Sequence, residues 1–526
     1  MISRRGRARV VMVGGMCAAL AATLVGLLPA CSAAQSSRFV VTYTPQVSAK
    51  PFTGRVYVML SARSPLESRL HDDWLEQQPL FAIDVRAWKP GEHVVLDDSC
   101  LGYPAKPSRL EPGEYAAQAV MDLRTDTREI GSAPGNGHSA VVRVRVESGR
   151  AFDVSLAIDR LVPPRRFRET DRVRLVDMKS PLLSRFYGRE VRMQAAVVLP
   201  EGYNTEPARR YPTVYVIPGF GGDHRMARAI ANGNSVVGVG DIPAITVVLN
   251  PDAATGHHVF ADSANNGPRG AALVRELIPR IERSYRCVAE PGARFLNGHS
   301  SGGWSALWLQ IAYPDVFGGA WATSPDPVDF RAFQTVDIYA PDANAFRDRA
   351  GRAHPIARSD GRVLLAVRQL SDLEQVLGKG GQLGSFEAVF GPRGADGRPQ
   401  PLWDRRTGRI DPAVARAWRR YDIRAILEER WTALRDKLRG KLHIVVGGKD
   451  TFYLERAVRL LKDALRRLGS DADVEILPER DHFDVLTLGL RDRFGREVMQ
   501  AFADRAKVQA ARPRALGRAA AIGLAR

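Results

Sequence analysis

The chain has 526 residues, of which 45% are apolar and 25% are charged, as expected for a globular protein long enough for two domains. Its formal net charge is +18, but basic residues cluster near the two ends, and elsewhere basic and acidic residues are mixed. Without a basic face with interleaved aromatics or a known module, this charge excludes a typical nucleic-acid-binding protein.

The first residues have the pattern of an export signal. A basic segment at 4–9 precedes an apolar run at 10–28 and the sequence Pro29-Ala-Cys31. This order predicts a signal over 1–31 and places the rest of the chain outside the cytoplasm, in the periplasm or at the cell surface. Leu28-Pro-Ala-Cys31 resembles a bacterial lipobox, in which the cysteine is lipidated and tethers the protein to a membrane. Pro29 is unusual there, so ordinary cleavage nearby and an uncleaved anchor remain alternatives.

Only two cysteines lie beyond the signal. The chain has four in total, and Cys17 and Cys31 belong to residues 1–31. Cys100 and Cys287 could pair as a disulfide in an exported protein, or be two separate buried thiols. The sequence leaves both possibilities open.

Residues 38–161 have the pattern of an all-β, sandwich-like domain. Five strand-like runs, separated by turns such as Lys89-Pro-Gly91 and without an amphipathic helix between them, lie at 39–44, 55–60, 115–121, 140–146 and 152–157. Such a domain could bind carbohydrate or simply pack against the catalytic domain, and packing is the favoured interpretation.

A proline- and arginine-rich joint at 162–170 separates this region from an alternating pattern over 171–505. Predicted strands lie at 191–199, 212–217, 244–249, 319–323, 442–446 and 474–477, with predicted helices at 270–285 and 455–468. Strands that alternate with helices predict an α/β fold: a mostly parallel sheet with helices on both faces.

Two further segments complete the predicted organisation. An insertion at about 328–440, with a glycine-rich stretch at 378–384 and helical pieces at 372–377 and 422–438, is expected to cover the strand ends. Residues 506–526 are rich in alanine and arginine and predict a basic, flexible tail.

The clearest chemical motif is Gly298-His-Ser300-Ser-Gly302, a G-x-S-x-G sequence. A short apolar run at 294–296 leads into it and a helix-like run at 304–312 follows, which is the strand–turn–helix context of a nucleophile elbow. Asn136-Gly-His-Ser139 repeats four of the residues but lacks the second glycine and the helix, so it is predicted to be a loop. We therefore predict Ser300 as a nucleophile.

A nucleophilic serine needs a base and a group that orients the base. His482 is the best base because it lies just beyond the last strand, whereas His443 lies inside a strand and the remaining candidates precede the elbow. Asp450 is the best acid because it follows the strand at 442–446, with Glu455 and Asp473 as fallbacks. The order Ser, Asp, His is that of an α/β-hydrolase. Alternatively, Asp450 only caps the next helix and His482 is an ordinary loop histidine.

An ester-cleaving serine also needs two backbone donors for the oxyanion. The amide of Ser301 is one, and Phe220, in the glycine-rich loop after the strand at 212–217, is predicted to supply the other. An ordinary glycine-rich turn is the alternative. No metal or cofactor is expected, because the sequence has no H-E-x-x-H motif, paired-cysteine motif, P-loop or dinucleotide fingerprint.

Several stretches together resemble one family. Residues 171–505 are similar to the putative esterase family of α/β-hydrolases, which includes esterase D, the antigen 85 mycolyltransferases, feruloyl esterases and enterochelin esterases. The stretches that carry the resemblance are Leu199-Pro-Glu-Gly-Tyr203, Tyr211-Pro-Thr-Val-Tyr-Val-Ile-Pro-Gly219, Glu276-Leu-Ile-Pro279, Asn297-Gly-His-Ser300-Ser-Gly-Gly303 and Gly447-Gly-Lys-Asp450.

The resemblance implies the same nucleophile, partners and oxyanion donors: Ser300, Asp450, His482, Phe220 and Ser301. Pro218, where many members have histidine, and the long insertion depart from the family and leave the substrate class open. Residues 38–161 are outside the resemblance.

The predicted function is that of an exported serine hydrolase that cleaves small-molecule or polymer-linked carboxylic esters through an acyl-enzyme. An acyltransferase of the same fold would differ only in the acceptor, and a peptidase would share the elbow. The alternative from another class is a non-catalytic cell-surface protein, which binds glycans through its β-domain. Oligomeric state is not readable from the sequence.

Overall fold

The computed structural model describes residues 36–62, 67–70, 75 and 78–511. The predicted export signal with Cys31, and the tail from 512 onward, lie outside the described residues and remain predictions. Within the described ranges, none of the helices combines the length and the apolar character needed to cross a bilayer.

The N-terminal region forms a nine-stranded sheet with the strand order β4-β1-β9-β7-β6-β2-β3-β5, in which β8 pairs with the first half of β6. The strands are β1 (Arg38–Tyr43), β2 (Phe52–Ser61), β3 (Leu80–Trp88), β4 (Val94–Leu96), β5 (Leu101–Tyr103), β6 (Gly113–Met121), β7 (Gly137–Ser139), β8 (Val142–Val146) and β9 (Asp153–Leu161). The Phe39 and Phe81 rings lie 5.7 Å apart although β1 and β3 are not neighbours in the sheet. The sheet therefore folds over its own core, which confirms the predicted all-β, sandwich-like region.

The remaining strands, in chain order, are β10 (Val173–Lys179), β11 (Arg192–Val198), β12 (Thr213–Ile217), β13 (Ile245–Leu249), β14 (Asp252–Ala253), β15 (Gly256–His257), β16 (Asp262–Ser263), β17 (Gly267–Pro268), β18 (Arg294–His299), β19 (Gly319–Thr323), β20 (Pro355–Ser359), β21 (Arg362–Ala366), β22 (Leu442–Gly447) and β23 (Asp473–Leu477). Eight of them form one sheet in the order β10-β11-β13-β12-β18-β19-β22-β23. Six neighbouring strands of this sheet are parallel, namely β13, β12, β18, β19, β22 and β23. Strands β11 and β10 pair antiparallel at the edge next to β13.

The helices are α1 (Pro181–Tyr187), α2 (Ala227–Ala231), α3 (Arg269–Ala272), α4 (Ile278–Ser284), α5 (Ser301–Ala312), α6 (Val367–Leu377), α7 (Gln382–Phe390), α8 (Pro412–Trp418), α9 (Ile423–Leu438), α10 (Leu454–Arg467) and α11 (Leu488–Ala511). A π-helical turn, Leu273–Leu277, joins α3 to α4, so the predicted helix at 270–285 is continuous but not uniformly α.

Side chains that alternate along the central strands enter two different cores. Tyr215 and Leu296 pack with α4 and α5 on one face of the eight-stranded sheet. Val214 and Phe295 pack with α2 and α11 on the other face. A parallel sheet needs this cover because both of its faces are apolar. The predicted α/β-hydrolase fold is thus confirmed.

Two local predictions need correction, and elements also lie where the sequence predicted none. Asn136–Ser139 is not a loop, because Gly137–Ser139 forms the short buried strand β7. Strand β10 was missed, because an edge strand with a half-exposed, charged face lacks a continuous apolar run. Helix α7 begins inside the glycine-rich stretch at 378–384. Helix α11 continues to Ala511, into the predicted tail.

The two cysteines in the described part do not form a disulfide. Cys100 and Cys287 are both free and buried, and they belong to two different cores. Burial raises the pKa of each thiol to about 11, so both stay protonated at neutral pH.

Candidate active site

Ser300 occupies the turn between β18 and α5 in an unusual backbone conformation. Its φ is 58° and its ψ is −125°, a region that side-chain-bearing residues rarely adopt. Such a conformation costs about 1–3 kcal/mol and persists only where the surroundings enforce it. The strained turn is what a nucleophile elbow requires, because it projects the hydroxyl from the end of the strand.

Two glycines of the motif allow strand and helix to approach each other closely. A Cβ on Gly298 would lie 2.2 Å from the carbonyl oxygen of Gly302, and a Cβ on Gly302 would lie 1.9 Å from the carbonyl oxygen of Ile217. Both contacts are with backbone, which cannot rotate away as a flexible side chain could. The G-x-S-x-G pattern is thus a steric requirement of this turn.

We expect Gly302→Ala to lower the midpoint of thermal unfolding by about 1–3 °C, since the new methyl group must displace the end of β12 at a cost of about 1–3 kcal/mol, and each kcal/mol shifts the midpoint of a chain this long by roughly 1 °C. Gly489→Ala in α11 is the matched control, because its Cβ would have only Thr487 Oγ1, at 3.8 Å, within contact range. Alanine favours a helix more than glycine, so the control should keep or raise the midpoint. Equal midpoints for the two variants would contradict the steric role of Gly302.

The structure brings His482 and Asp450 together. His482 Nδ1 lies 2.9 Å from Asp450 Oδ2, and both side chains are almost fully buried. The other carboxylate oxygen, Oδ1, accepts the backbone N–H groups of Phe452 at 2.9 Å and Leu454 at 3.4 Å. Asp450 therefore contacts both the chain that enters α10 and the imidazole, and its role as the orienting acid stays a prediction.

The loops that carry these two residues are locked together by backbone contacts. Gly448 N–H donates to Leu477 O at 2.7 Å, and Lys449 N–H donates to Arg480 O at 2.9 Å. A Cβ on Gly447 would lie 2.3 Å from Arg480 O, so only glycine permits this approach. The ring of His482 lies 4.5 Å, between centroids, from the ring of His299, which immediately precedes Ser300. His482 is thus placed beside the elbow.

Neither fallback acid is bound to the imidazole. Glu455 pairs instead with Arg358, at 2.8 Å. Asp473 begins β23 and so lies at the opposite end of the parallel strands from His482.

The loop after β12 passes directly beside Ser300. Gly222 N–H donates to Gly219 O at 3.0 Å, and Gly221 has a φ of +87°, which is the pattern of a type II turn with Phe220 at its second position. A Cβ on Gly219 would lie 3.3 Å from Ser300 Cβ. Ser301 is the first residue of α5, so its N–H has no acceptor within the helix. The predicted donors thus flank the serine.

His257, set aside as a catalytic base in the sequence, supports this loop. Burial lowers the pKa of its imidazole to about 4, so the ring is neutral at pH 7. Nδ1 accepts the N–H of Val259 at 3.1 Å, which assigns the ring proton to Nε2, and Nε2 then donates to Pro218 O at 2.9 Å. Groups of three or more His, Cys, Asp or Glu side chains that could hold a metal ion do not occur among the described residues.

Asp326 is a buried residue of the site that sequence reasoning missed. Ser301 Oγ donates to Asp326 Oδ2 at 2.5 Å, and Asp326 N–H donates to Ser300 O at 3.2 Å. Burial raises the pKa of its carboxyl to about 6, against the hydroxyl of Ser301 and the charge of His482, which lower it. Its position just beyond the end of β19 is the signal that could have identified it.

One family model and several known proteins match parts of this chain. The model of a family described as putative esterase matches residues 188–482. Esterase MT1326 and Esterase Rv1288, from two strains of Mycobacterium tuberculosis, are each 29% identical over 160 residues, which is 30% of this chain and 34% of the relative. The matched part thus spans about a third of these relatives.

Three of the matching solved structures illustrate the low sequence identity. A ferulic acid esterase is 15% identical, with a TM-score of 0.38, and covers 63% of this chain and 99% of its own. An S-formylglutathione hydrolase from Agrobacterium tumefaciens is 15% identical, with a TM-score of 0.36, and covers 63% of this chain and 95% of its own. MPT51 of Mycobacterium tuberculosis is 14% identical, with a TM-score of 0.37, and covers 64% of this chain and 99% of its own.

Proposed function

Because the chain belongs to the putative esterase family, whose model spans 188–482, we propose that it is a serine hydrolase that cleaves carboxylic esters. The observation that carries the proposal is the buried hydrogen bond between His482 and Asp450, beside a serine held at positive φ. Ser300, Asp450 and His482 follow the parallel strands β18, β22 and β23, and catalytic groups collect at the carboxyl ends of such strands in open α/β sheets, which supports the proposal.

In the proposed reaction, Ser300 Oγ attacks the ester carbonyl carbon while His482 Nε2 takes the hydroxyl proton. Asp450 accepts the hydrogen bond from Nδ1–H, which keeps Nε2 free as the base and stabilises the imidazolium that forms. The backbone N–H groups of Ser301 and Phe220 donate to the oxyanion of the tetrahedral intermediate.

Collapse of the intermediate breaks the bond to the alcohol oxygen, which receives the proton from His482 and leaves as the alcohol. A water molecule then gives a proton to His482 and attacks the acyl-enzyme carbon. The second intermediate collapses, Ser300 Oγ takes the proton back, and the carboxylic acid is released. Both half-reactions use the same base and the same two donors.

The direct test uses the full chain with two kinds of ligand. We expect turnover of p-nitrophenyl acetate and butyrate, and stoichiometric labelling by a fluorophosphonate probe at the peptide that contains Ser300. A fluorophosphonate reacts only with an activated serine, so labelling reports the site even if the esters fit poorly. A folded protein that neither hydrolyses the esters nor takes the label would refute the proposal.

A further inference from the structure

A cavity of about 530 Å³ lies between the N-terminal sheet and the segment that joins β19 to β22. The sheet side contributes Met59, Leu80 and Ile130, and helix α6 contributes Leu370 and Leu373. This volume is within the range of pockets that hold small organic ligands, about 300–1,000 Å³. The cavity exists only because the two parts of the chain face each other.

Specific hydrogen bonds hold the two walls together. The last carbonyls of α6 have no acceptor role within the helix, and side chains of β2 satisfy them. Tyr57 Oη donates to Leu377 O at 2.6 Å, and Arg55 donates to Gln375 O and Val376 O, both at 3.0 Å. The positive charge of Arg55 also suits the negative end of a helix. These hydrogen bonds join the N-terminal sheet to the insertion.

The cavity reaches the loop after β12, which contains Phe220. Phe220 and Gln382 are among its lining residues. Gln382 Nε2 donates to Asp326 and to Ser301 Oγ, each at 3.3 Å. Arg128, from the N-terminal region, lies 4.9 Å above the centre of the Phe220 ring and pairs with Asp252 at 2.8 Å. The N-terminal region thus touches the loop that is proposed to hold the oxyanion.

Charged side chains in the lining already have partners within the protein. Arg69 pairs with Glu67 and donates to Gly131 O, Arg128 pairs with Asp252, Glu129 with Arg165, and Lys379 with Asp122, while Glu374 accepts the N–H groups of Leu383 and Gly384. A charged ligand would have to break one of these interactions, whereas an apolar ligand gains from the aliphatic surface.

From these observations we infer that the N-terminal sheet is one wall of the ester-binding site, and that the cavity takes the uncharged, apolar group of the ester. The inference rests on the proposed function, since it assigns a substrate group to the same site. It gives residues 38–161 a part in selecting the substrate, in place of the carbohydrate binding or simple packing that the sequence suggested.

The test narrows the cavity from the sheet side with Ile130→Trp in the full chain. Two ester series are compared: p-nitrophenyl acetate against the decanoate, and phenyl acetate against 2-naphthyl acetate. A group that no longer fits a hydrophobic pocket is discriminated by about tenfold or more. We expect the ratio of kcat/KM for the larger over the smaller ester to fall at least about tenfold in one series. The series that responds shows whether the acyl or the alcohol group occupies the cavity.

Val95→Trp is the matched control, because it adds the same side chain to β4 of the same sheet at a position that is 37% exposed and outside the cavity. Both ratios should stay at the wild-type value in this variant. If Ile130→Trp does not fold, Met59→Ala decides the question, because it enlarges the cavity and should raise the ratio in the same series.

The possible failures are distinguishable. Wild-type turnover with ratios that neither Ile130→Trp nor Met59→Ala changes would overturn the assignment of the cavity and leave the proposed function intact. A wild-type protein that turns over no ester and takes no fluorophosphonate label would overturn both.

Discussion

Replacement of Ser300 by alanine is expected to lower kcat for p-nitrophenyl acetate by about 10⁵-fold or more, to a residual rate that the oxyanion donors alone can sustain. The reason is that no acyl-enzyme can form without Oγ, while the backbone N–H groups of Ser301 and Phe220 remain. Ser300 is half-buried and the substitution removes only its hydroxyl group, so we expect the variant to fold like the wild type. Fluorophosphonate labelling should disappear together with turnover.

The chain contains its own control for this variant. Ser139 ends a second Asn-Gly-His-Ser sequence but lies in the N-terminal sheet, where its Oγ donates to Ala140 O at 2.7 Å and accepts the N–H of Ala119 at 2.9 Å. Ser139→Ala should cost about 1–3 kcal/mol of stability, because it leaves that buried N–H unpaired. Its turnover should match the wild type at a temperature where both proteins are folded. Similar turnover by Ser300→Ala and Ser139→Ala would remove the case for Ser300 as nucleophile.

Asp450→Asn is expected to lower kcat by about 10⁴-fold with little change in structure. The two N–H groups of Phe452 and Leu454 point at Oδ1, so the amide oxygen of an asparagine would take that position. Its NH₂ group would then face His482 Nδ1 and donate to it. This forces the ring proton to Nε2, the atom that must accept the proton of Ser300. The base would be present in the wrong tautomer.

Glu455→Gln is the matched control for this second variant. Glu455 is also a buried carboxylate at the start of α10, but it pairs with Arg358. We expect Glu455→Gln to change stability through that ion pair and to leave kcat within about tenfold of the wild type. A large loss of kcat in Glu455→Gln, with normal turnover by Asp450→Asn, would show that the acid has been assigned to the wrong residue.

Most of the candidate site could be derived from local sequence. Two residues that contact it, Asp326 and Gln382, could not, because no local motif marks either of them. Ser300, Phe220 and Asp450 each follow a predicted buried strand, and parallel strands bring their carboxyl ends to one edge. Asp326 also follows a strand but has no motif around it. Gln382 lies 81 positions from Ser301, its hydrogen-bond partner, within an insertion whose path no local pattern specifies.

Elements whose stability depends on local interactions could be predicted from the sequence. Glycines at 298 and 302 indicate a turn in which these two positions have no room for a side chain. Apolar strands that alternate with helices predict a parallel sheet covered on both faces. Repeated short strands predict the N-terminal β region. Each of these depends on neighbours within one strand, turn or helix. These elements can therefore be predicted without knowing which distant residues contact them.

The contacts between the two regions, by contrast, depend on the complete fold. Arg55 and Val376, which join the N-terminal sheet to α6, are separated by 321 positions, and Cys100 and Cys287 are found in different cores. Contacts of this kind depend on the shape and charge of two completed surfaces. Neither sequence segment specifies these contacts alone. No local pattern distinguishes Arg55 from other surface arginines, and its partners at the end of α6 lie far away in the sequence.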